Sequence, residues 1–301
     1  MSNEETTSTE PEKVTFLDRL GMYLNLIKPR QTSLLLITTA GSFIASIGGY
    51  KAINWRYLGI TLLMTFLTIS GTTILNMIYD RDIDAGMKRT QHRPLPSNRL
   101  SVLEARILGT LMIIFGLIGA YFLINWITML VLLAGVILDL PVYTIWLKRR
   151  HRYSIVFGGV AGGMPALAGR TAVIGHIDLI GVLLVAFIST WVPVHILTLA
   201  IVYKEDYRRV GVPMWPVQVG DEPTLRFIAF SSIFASIVIL YAAYLLKVYT
   251  YVYWFFILMS SIIIILCIIN AIKPDLKRNW TIFKLASMYM ALTFFLLPLH
   301  A

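Results

Sequence analysis

Uninterrupted apolar runs of about twenty residues recur along almost the whole chain, separated by short polar gaps, and no other feature limits its folding so strongly. A helix needs about 20 apolar residues to cross a bilayer. The runs lack the strict alternation that a membrane barrel would require. The expected spans are 32–50, 57–79, 101–123, 126–147, 154–174, 178–203, 224–246, 250–271 and 281–300. Of the 301 residues, 57% are hydrophobic and 14% charged, which leaves too little polar surface for a water-soluble globule. The expected fold class is therefore all-α: a polytopic membrane protein of nine transmembrane helices around a central cavity open to the cytoplasmic side. One intramembrane domain would occupy 14–301. Residues 1–13 carry four glutamates and no apolar run, and read as a disordered tail without the marks of a signal peptide. Residues 14–27 place Phe16, Leu17, Leu20, Tyr23, Leu24 and Ile27 near one face, as in an interfacial helix.

The gaps set the orientation. Gaps 80–100, 148–153, 204–223 and 272–280, with the N-terminal segment, hold nineteen Lys and Arg, and the opposite gaps hold three. Positive loops stay inside, so the N-terminus is expected in the cytoplasm and the C-terminus outside. The net charge of +10 is thus spent on topology and on anionic headgroups or substrates, and nucleic acid is not an expected partner. The single cysteine, Cys267, lies in an apolar run, where it faces lipid or packs; no zinc or disulfide spacing exists.

Chemistry concentrates at two cytoplasmic exits. Three of the nine aspartates fall within 80–84. Residues four apart share a helix face, so Asn76, Asp80 and Asp84 form one stripe of hard oxygen donors, while Asp82 points away. Mg²⁺ favours one or two carboxylates together with substrate phosphates, and such a stripe at a membrane rim suits a metal–diphosphate. A solvated helix end with local Arg pairs is the competing reading, and it fits Asp82 best. Arg93, in the basic loop that follows, suits phosphate or ordinary loop charge. The sixth span exits through Glu205 and Asp206, again acids at a cytoplasmic end. Asp139 and His195 each lie nine residues before a basic exit, ~13 Å deep, where ionisable groups are functional candidates or satisfied packing groups. Arg170, near the outer end of its span, is expected to snorkel.

Several segments occur in one order: Lys28-Pro29-Arg30, Asn76 with YDRDIDAGMKRTQHRPLP (79–96), YTIWLKRR (143–150), GGVAGGMPALAG (158–169), Trp191 with His195, and EDYRRVGVPMWPVQVG (205–220). Over about 28–220 the chain resembles the UbiA superfamily of intramembrane prenyltransferases, in its protoheme IX farnesyltransferase (haem O synthase) branch. It departs in having Val at 202 and 210, leaving Asp206 with Glu205 as the second acidic motif, and in Arg170 after Gly169. The resemblance implies farnesyl transfer from farnesyl diphosphate to a vinyl carbon of haem B, with water addition, giving haem O and diphosphate. It implies Mg²⁺ as cofactor and haem B as substrate. Asn76, Asp80, Asp84 and Asp206 would hold the metal and diphosphate. Arg30, Arg93, Lys148 and Arg149 would be the cationic contacts, with Tyr143, His195, Glu205 and Tyr207 completing substrate binding. It further implies a prokaryotic plasma membrane, contact with membrane lipid, and haem–copper oxidase assembly partners. Two alternatives are a prenyltransferase acting on a quinone precursor or glycerol phosphate lipid, and an organic-anion transporter. The transporter would spread polar groups over the full membrane depth, whereas here they crowd the cytoplasmic half.

Overall fold

The computed structural model describes residues 16–300; the expected tail 1–13 lies outside them. Helices form where the apolar runs predict them. They are α1 (Phe16–Leu26), α2 (Pro29–Ser46), α3 (Trp55–Tyr79), the short α4 (Arg81–Gly86), α5 (Val102–Leu123) and α6 (Trp126–Leu147). Then follow α7 (Ser154–Ile174), α8 (Leu179–Val202), the short α9 (Lys204–Arg209) and α10 (Trp215–Val219), α11 (Asp221–Leu245), α12 (Thr250–Ile272) and α13 (Leu276–Leu296). Among the described residues the only strand-like pairing is an isolated bridge between Val248 and His300.

Local chemistry sets the ends. The side chains of Asn54, Ser101, Asn125, Asp178 and Asp275 accept the first free N–H groups of α3, α5, α6, α8 and α13. Asp275 starts α13 five residues before the expected span. Pro29 opens α2 early, and Gly48 and Gly49, both at positive φ, close the chain away after Ser46, so the first helix runs short of the expected residue 50.

Side-chain size is sorted in the sense a membrane demands. On α5 the buried residues are Ala105, Gly109, Gly116 and Ala120, while Ile107, Leu111, Ile114, Phe115, Ile118 and Phe122 face outward. Small residues let backbones approach, and large apolar ones meet lipid. A methyl group at Gly71 would lie 2.5 Å from the Gly109 carbonyl oxygen, so α3 and α5 touch backbone to backbone. Among the described residues six helices are long and apolar enough to cross a membrane: α3, α5, α6, α8, α11 and α12. The other three long helices, α2, α7 and α13, stand where spans were expected but trade apolar residues for Thr and Ser, Gly and Ala, and Lys and Arg respectively.

Each long helix packs on the next in the chain. Contact between α13 and α2 closes the circuit, and α2 also crosses onto α7. Helix α1 buries Leu26 against Ile74, Met77 and Leu95 and leaves Leu17, Leu20 and Leu24 exposed, in keeping with an interfacial position. Cys267 is buried, so of its two expected surroundings the packed one holds. Arg170 does not snorkel. It is buried on α7 and bound through two nitrogens to Asp178, with a third donating to Ser46 at 3.0 Å. Asp178 also caps α8. A carboxylate fixed one loop away offers Arg170 a nearer partner than the headgroups, and the guanidinium's fork matches it.

Candidate active site

The stripe survives the end of α3. Asp80 caps the helix, its N–H donating to the Asn76 carbonyl at 2.9 Å, and the Asp84 N–H donates back to the Asp80 carbonyl at 2.8 Å. Four-residue spacing is thereby kept across the junction into α4. Asp80 and Asp84 are both buried, whereas the Asp82 side chain between them is 68% exposed.

A cation meets each buried acid. Lys148 Nζ lies 2.5 Å from Asp80 Oδ2, and an Arg93 nitrogen lies 2.7 Å from Asp84 Oδ2. Lys28 stands close enough to feel both acids and both cations. Burial, then the charges of Arg93 and Lys148, push its ammonium down to about 8 against the pull of Asp80 and Asp84. Its backbone is left-handed (φ 45°), which a residue with a Cβ seldom adopts. In the sequence Lys28 stands in the Lys28-Pro29-Arg30 segment without a role at the site; the positive-φ link between α1 and α2 that carries it inward has no sequence mark such as glycine.

Lys148 reaches Asp80 through an irregular turn. From Leu138 to Leu147 the second half of α6 widens into a π-helix containing Pro141, which has no N–H to give an α-helical ladder. In an α-helix, residues five apart diverge by ~140°. Here the Lys148 N–H donates to the Tyr143 carbonyl at 2.8 Å, and Lys148 Nζ stands 6.0 Å from the centre of the Tyr143 ring. Tyr207 also lies near enough to act on the Lys148 charge. The same segment supplies Asp139 and Thr144. Asn76 Nδ2 donates to Asp139 Oδ2 at 2.5 Å, and the Thr144 hydroxyl donates to Asn76 Oδ1 at 3.0 Å.

The two acidic exits touch. Ile83 and Met87 of the first pack with Val212, Met214, Tyr207 and Val210 of the second. Asp206 is mostly enclosed and has Arg209 at 3.5 Å, while Glu205 is exposed and bound by Arg208 within α9. Arg149 goes to the opposite side of the stripe, where two nitrogens grip Asp82 at 2.7 Å each and one also meets the Tyr79 carbonyl. That grip, opposed by partial burial, holds the Asp82 carboxyl down at about 2. Arg30 is exposed on the first turn of α2. His195 does not share an unbroken face with Asp206, because α8 stops at Val202 and the chain re-forms α9 only after Tyr203. Its Nδ1 meets Ser287 Oγ at 3.0 Å and its ring stacks on Phe283, centroids 4.5 Å apart, both on α13.

The structure thus joins Asn76, Asp80, Asp84, Arg93, Lys148 and Tyr143, and adds Lys28, Asp139 and Thr144. It leaves Arg30, Arg149, Glu205 and His195 apart from that group. Among the described residues no three His, Cys, Asp or Glu side chains converge as a complete metal site. Asp80 Oδ1 is buried without a hydrogen-bond partner. An orphaned carboxylate oxygen among hard donors fits a small divalent cation whose remaining ligands come from a substrate.

Comparison with known proteins shows the family and the fold. A protein of Archaeoglobus fulgidus named protoheme IX farnesyltransferase is 38% identical over 287 residues, covering 94% of this chain and 99% of that one. The fold is similar to that of a solved digeranylgeranylglyceryl phosphate synthase (TM-score 0.76, 19% identity, 94% and 99% of the two chains). It is similar also to a UbiA homolog from Archaeoglobus fulgidus solved with GPP and Mg²⁺ (TM-score 0.65, 18% identity, 92% and 99%). Residues 34–293 match the UbiA prenyltransferase family, and the chain belongs to that family of membrane enzymes.

Proposed function

We propose that this enzyme transfers a farnesyl group from farnesyl diphosphate to a vinyl carbon of haem B, giving haem O and diphosphate. The observation that carries the reaction class is the buried Asp80–Lys148 and Asp84–Arg93 pairs with Lys28 beside them, at the exit of α3. The acceptor rests on the kinship with the Archaeoglobus fulgidus protein.

Asn76, Asp80, Asp84 and Asp206 would hold Mg²⁺, whose charge assists departure of the diphosphate. Lys28, Arg93 and Lys148 neutralise the same leaving group from the protein side. The farnesyl C–O bond breaks with its electrons remaining on diphosphate, and a carbon–carbon bond forms to the vinyl group. Water then supplies a hydroxyl to the adjacent carbon and releases a proton. Tyr143, beside Lys148, lines the farnesyl end. A water-poor, lipid-open cavity would shield the allylic cation from premature hydrolysis. His195, oriented through Nδ1 by Ser287, has Nε2 left to place haem. Nine spans, a cytoplasmic N-terminus, an external C-terminus, a prokaryotic plasma membrane and haem–copper oxidase assembly partners complete the reading.

Purified protein incubated with haem B, farnesyl diphosphate and Mg²⁺ should yield a porphyrin heavier by one farnesyl group and one hydroxyl. Parallel incubations replace haem B with 4-hydroxybenzoate or a glycerol phosphate lipid. Prenylation of either in preference to haem would reassign the acceptor.

A further inference from the structure

We propose that Asp139 is a positioning residue that fixes the side-chain amide of Asn76, so that an oxygen and not an amine is offered at the metal–diphosphate site. The inference rests on the reading of Asn76 as a metal ligand.

An asparagine amide has two faces of opposite use. Its oxygen can ligate a hard cation, and its NH₂ group can only donate. Rotation by half a turn about the last side-chain bond exchanges them at small steric cost, so an unrestrained asparagine is an unreliable ligand. Here the amide is held from both ends by one segment. Asp139 Oδ2 accepts from Nδ2 at 2.5 Å, and the Thr144 hydroxyl donates to Oδ1 at 3.0 Å. A carbonyl oxygen has two lone pairs, so Thr144 leaves one for a cation. The opposite rotamer would set Oδ1 against the Asp139 carboxylate, acceptor facing acceptor. Asp139 lies on the π-helical half of α6, the segment that also presents Lys148 to Asp80. The π-helical segment of α6 therefore sets both the amide at 76 and the counter-charge at 80.

Outer partners of metal ligands are commonly worth 10–100-fold in metal affinity. Binding of Mn²⁺ in the presence of inorganic diphosphate, followed by electron paramagnetic resonance, is the direct test. Asp139→Leu should weaken Mn²⁺ about 10–100-fold and raise the Mg²⁺ needed for half-maximal turnover, with kcat at saturating Mg²⁺ largely kept. Asp139→Asn retains an acceptor and should restore near-wild-type Mn²⁺ binding. In an Asn76→Ala background, Asp139→Leu should weaken binding no further. Asp139→Ala replaces the leucine variant if that protein does not fold. Unchanged Mn²⁺ affinity in Asp139→Leu would overturn the proposal. So would an Asp139→Asn as weak as the leucine variant, which would make charge and not acceptance the cause, or a full effect persisting without Asn76. If the wild type binds no Mn²⁺ with diphosphate, the metal-site reading fails and this inference with it. Wild-type binding lost in Asp80→Asn but untouched by Asp139→Leu sinks the inference alone.

Discussion

Neutralising Asp80 and Lys148 singly and together separates what their pairing does for folding from what it does for chemistry. The ion pair is nearly enclosed, with side chains 10% and 16% exposed, and Asp80 has one further oxygen without a partner. Removing one member of a buried pair strands the other charge, at a cost of 3–5 kcal/mol in sealed sites. Slight solvent contact on both sides puts each single variant near the low end, about 3 kcal/mol. Asp80→Asn should be the worse, since Lys28, Arg93 and Lys148 then share fewer negative charges, while Lys148→Met leaves Asp80 with Lys28 still at hand. The double variant strands neither charge and should recover about 2 kcal/mol relative to the sum of the singles, within the range of couplings between contacting residues. Equilibrium unfolding in mixed detergent micelles measures this, and the mass-detected prenyl transfer assay follows activity in parallel. Turnover should be lost in Asp80→Asn and in the double variant despite recovered stability. Additive destabilisation would show that the pair is not formed in the folded enzyme. Full activity in Asp80→Asn would remove it from the reacting site.

Asp82→Asn should retain most activity and cost under about 1 kcal/mol, because the pair with Arg149 is largely exposed. The Asp82 carboxyl is held at about 2, below its unfolded value, so that small stabilisation is present above pH 4 and disappears as pH falls through about 2; stability of variant and wild type across this range checks the sign. Arg170→Met should destabilise by about 3 kcal/mol by stranding Asp178, yet leave the KM for farnesyl diphosphate unchanged in the protein that folds; a raised KM would place Arg170 in the site. A cysteine at exposed Lys88 should react with an impermeant maleimide only in inverted vesicles, with buried Cys267 silent as an internal control; labelling of right-side-out vesicles would invert the topology. His195→Ala should weaken or spectrally alter haem binding while diphosphate affinity stays, and unchanged haem titration and turnover would leave His195 a packing residue held by Ser287 and Phe283.

Residue spacing was a good guide wherever the backbone stayed α-helical. Asp82 was separable from Asp80 and Asp84 because a 100° step per residue sends it outward, and there it meets Arg149. The helix positions followed from apolar runs that lipid makes obligatory. Spacing misled where the helix changed or broke. No periodicity announces the π turns of 138–147, although Pro141 hinted at a missing rung, so the contact between Asn76 and Asp139 was not foreseeable from either helix alone. The break at Tyr203 means that the eleven-residue spacing of His195 and Asp206, close to three helical turns, does not put them on one continuous helix face. Lys28 was legible as part of the Lys28-Pro29-Arg30 segment but not as a cation of the site, and Arg149, expected at the diphosphate, pairs with Asp82, because charge counts fix a side of the membrane and not a partner.

The π-helical half of α6 also bears on how sequences of this fold can be compared. A relative that keeps this segment α-helical can present the same tyrosine and lysine on one face only if they are four residues apart, where this chain has five between Tyr143 and Lys148. Aligning two such chains without a gap would match Lys148 with its partner's neighbour and hide a shared counter-ion as an apparent substitution. A one-residue deletion within 144–147 is then the change that tells the two geometries apart: it would shorten the Tyr143–Lys148 spacing from five to four and match it to α-helical register.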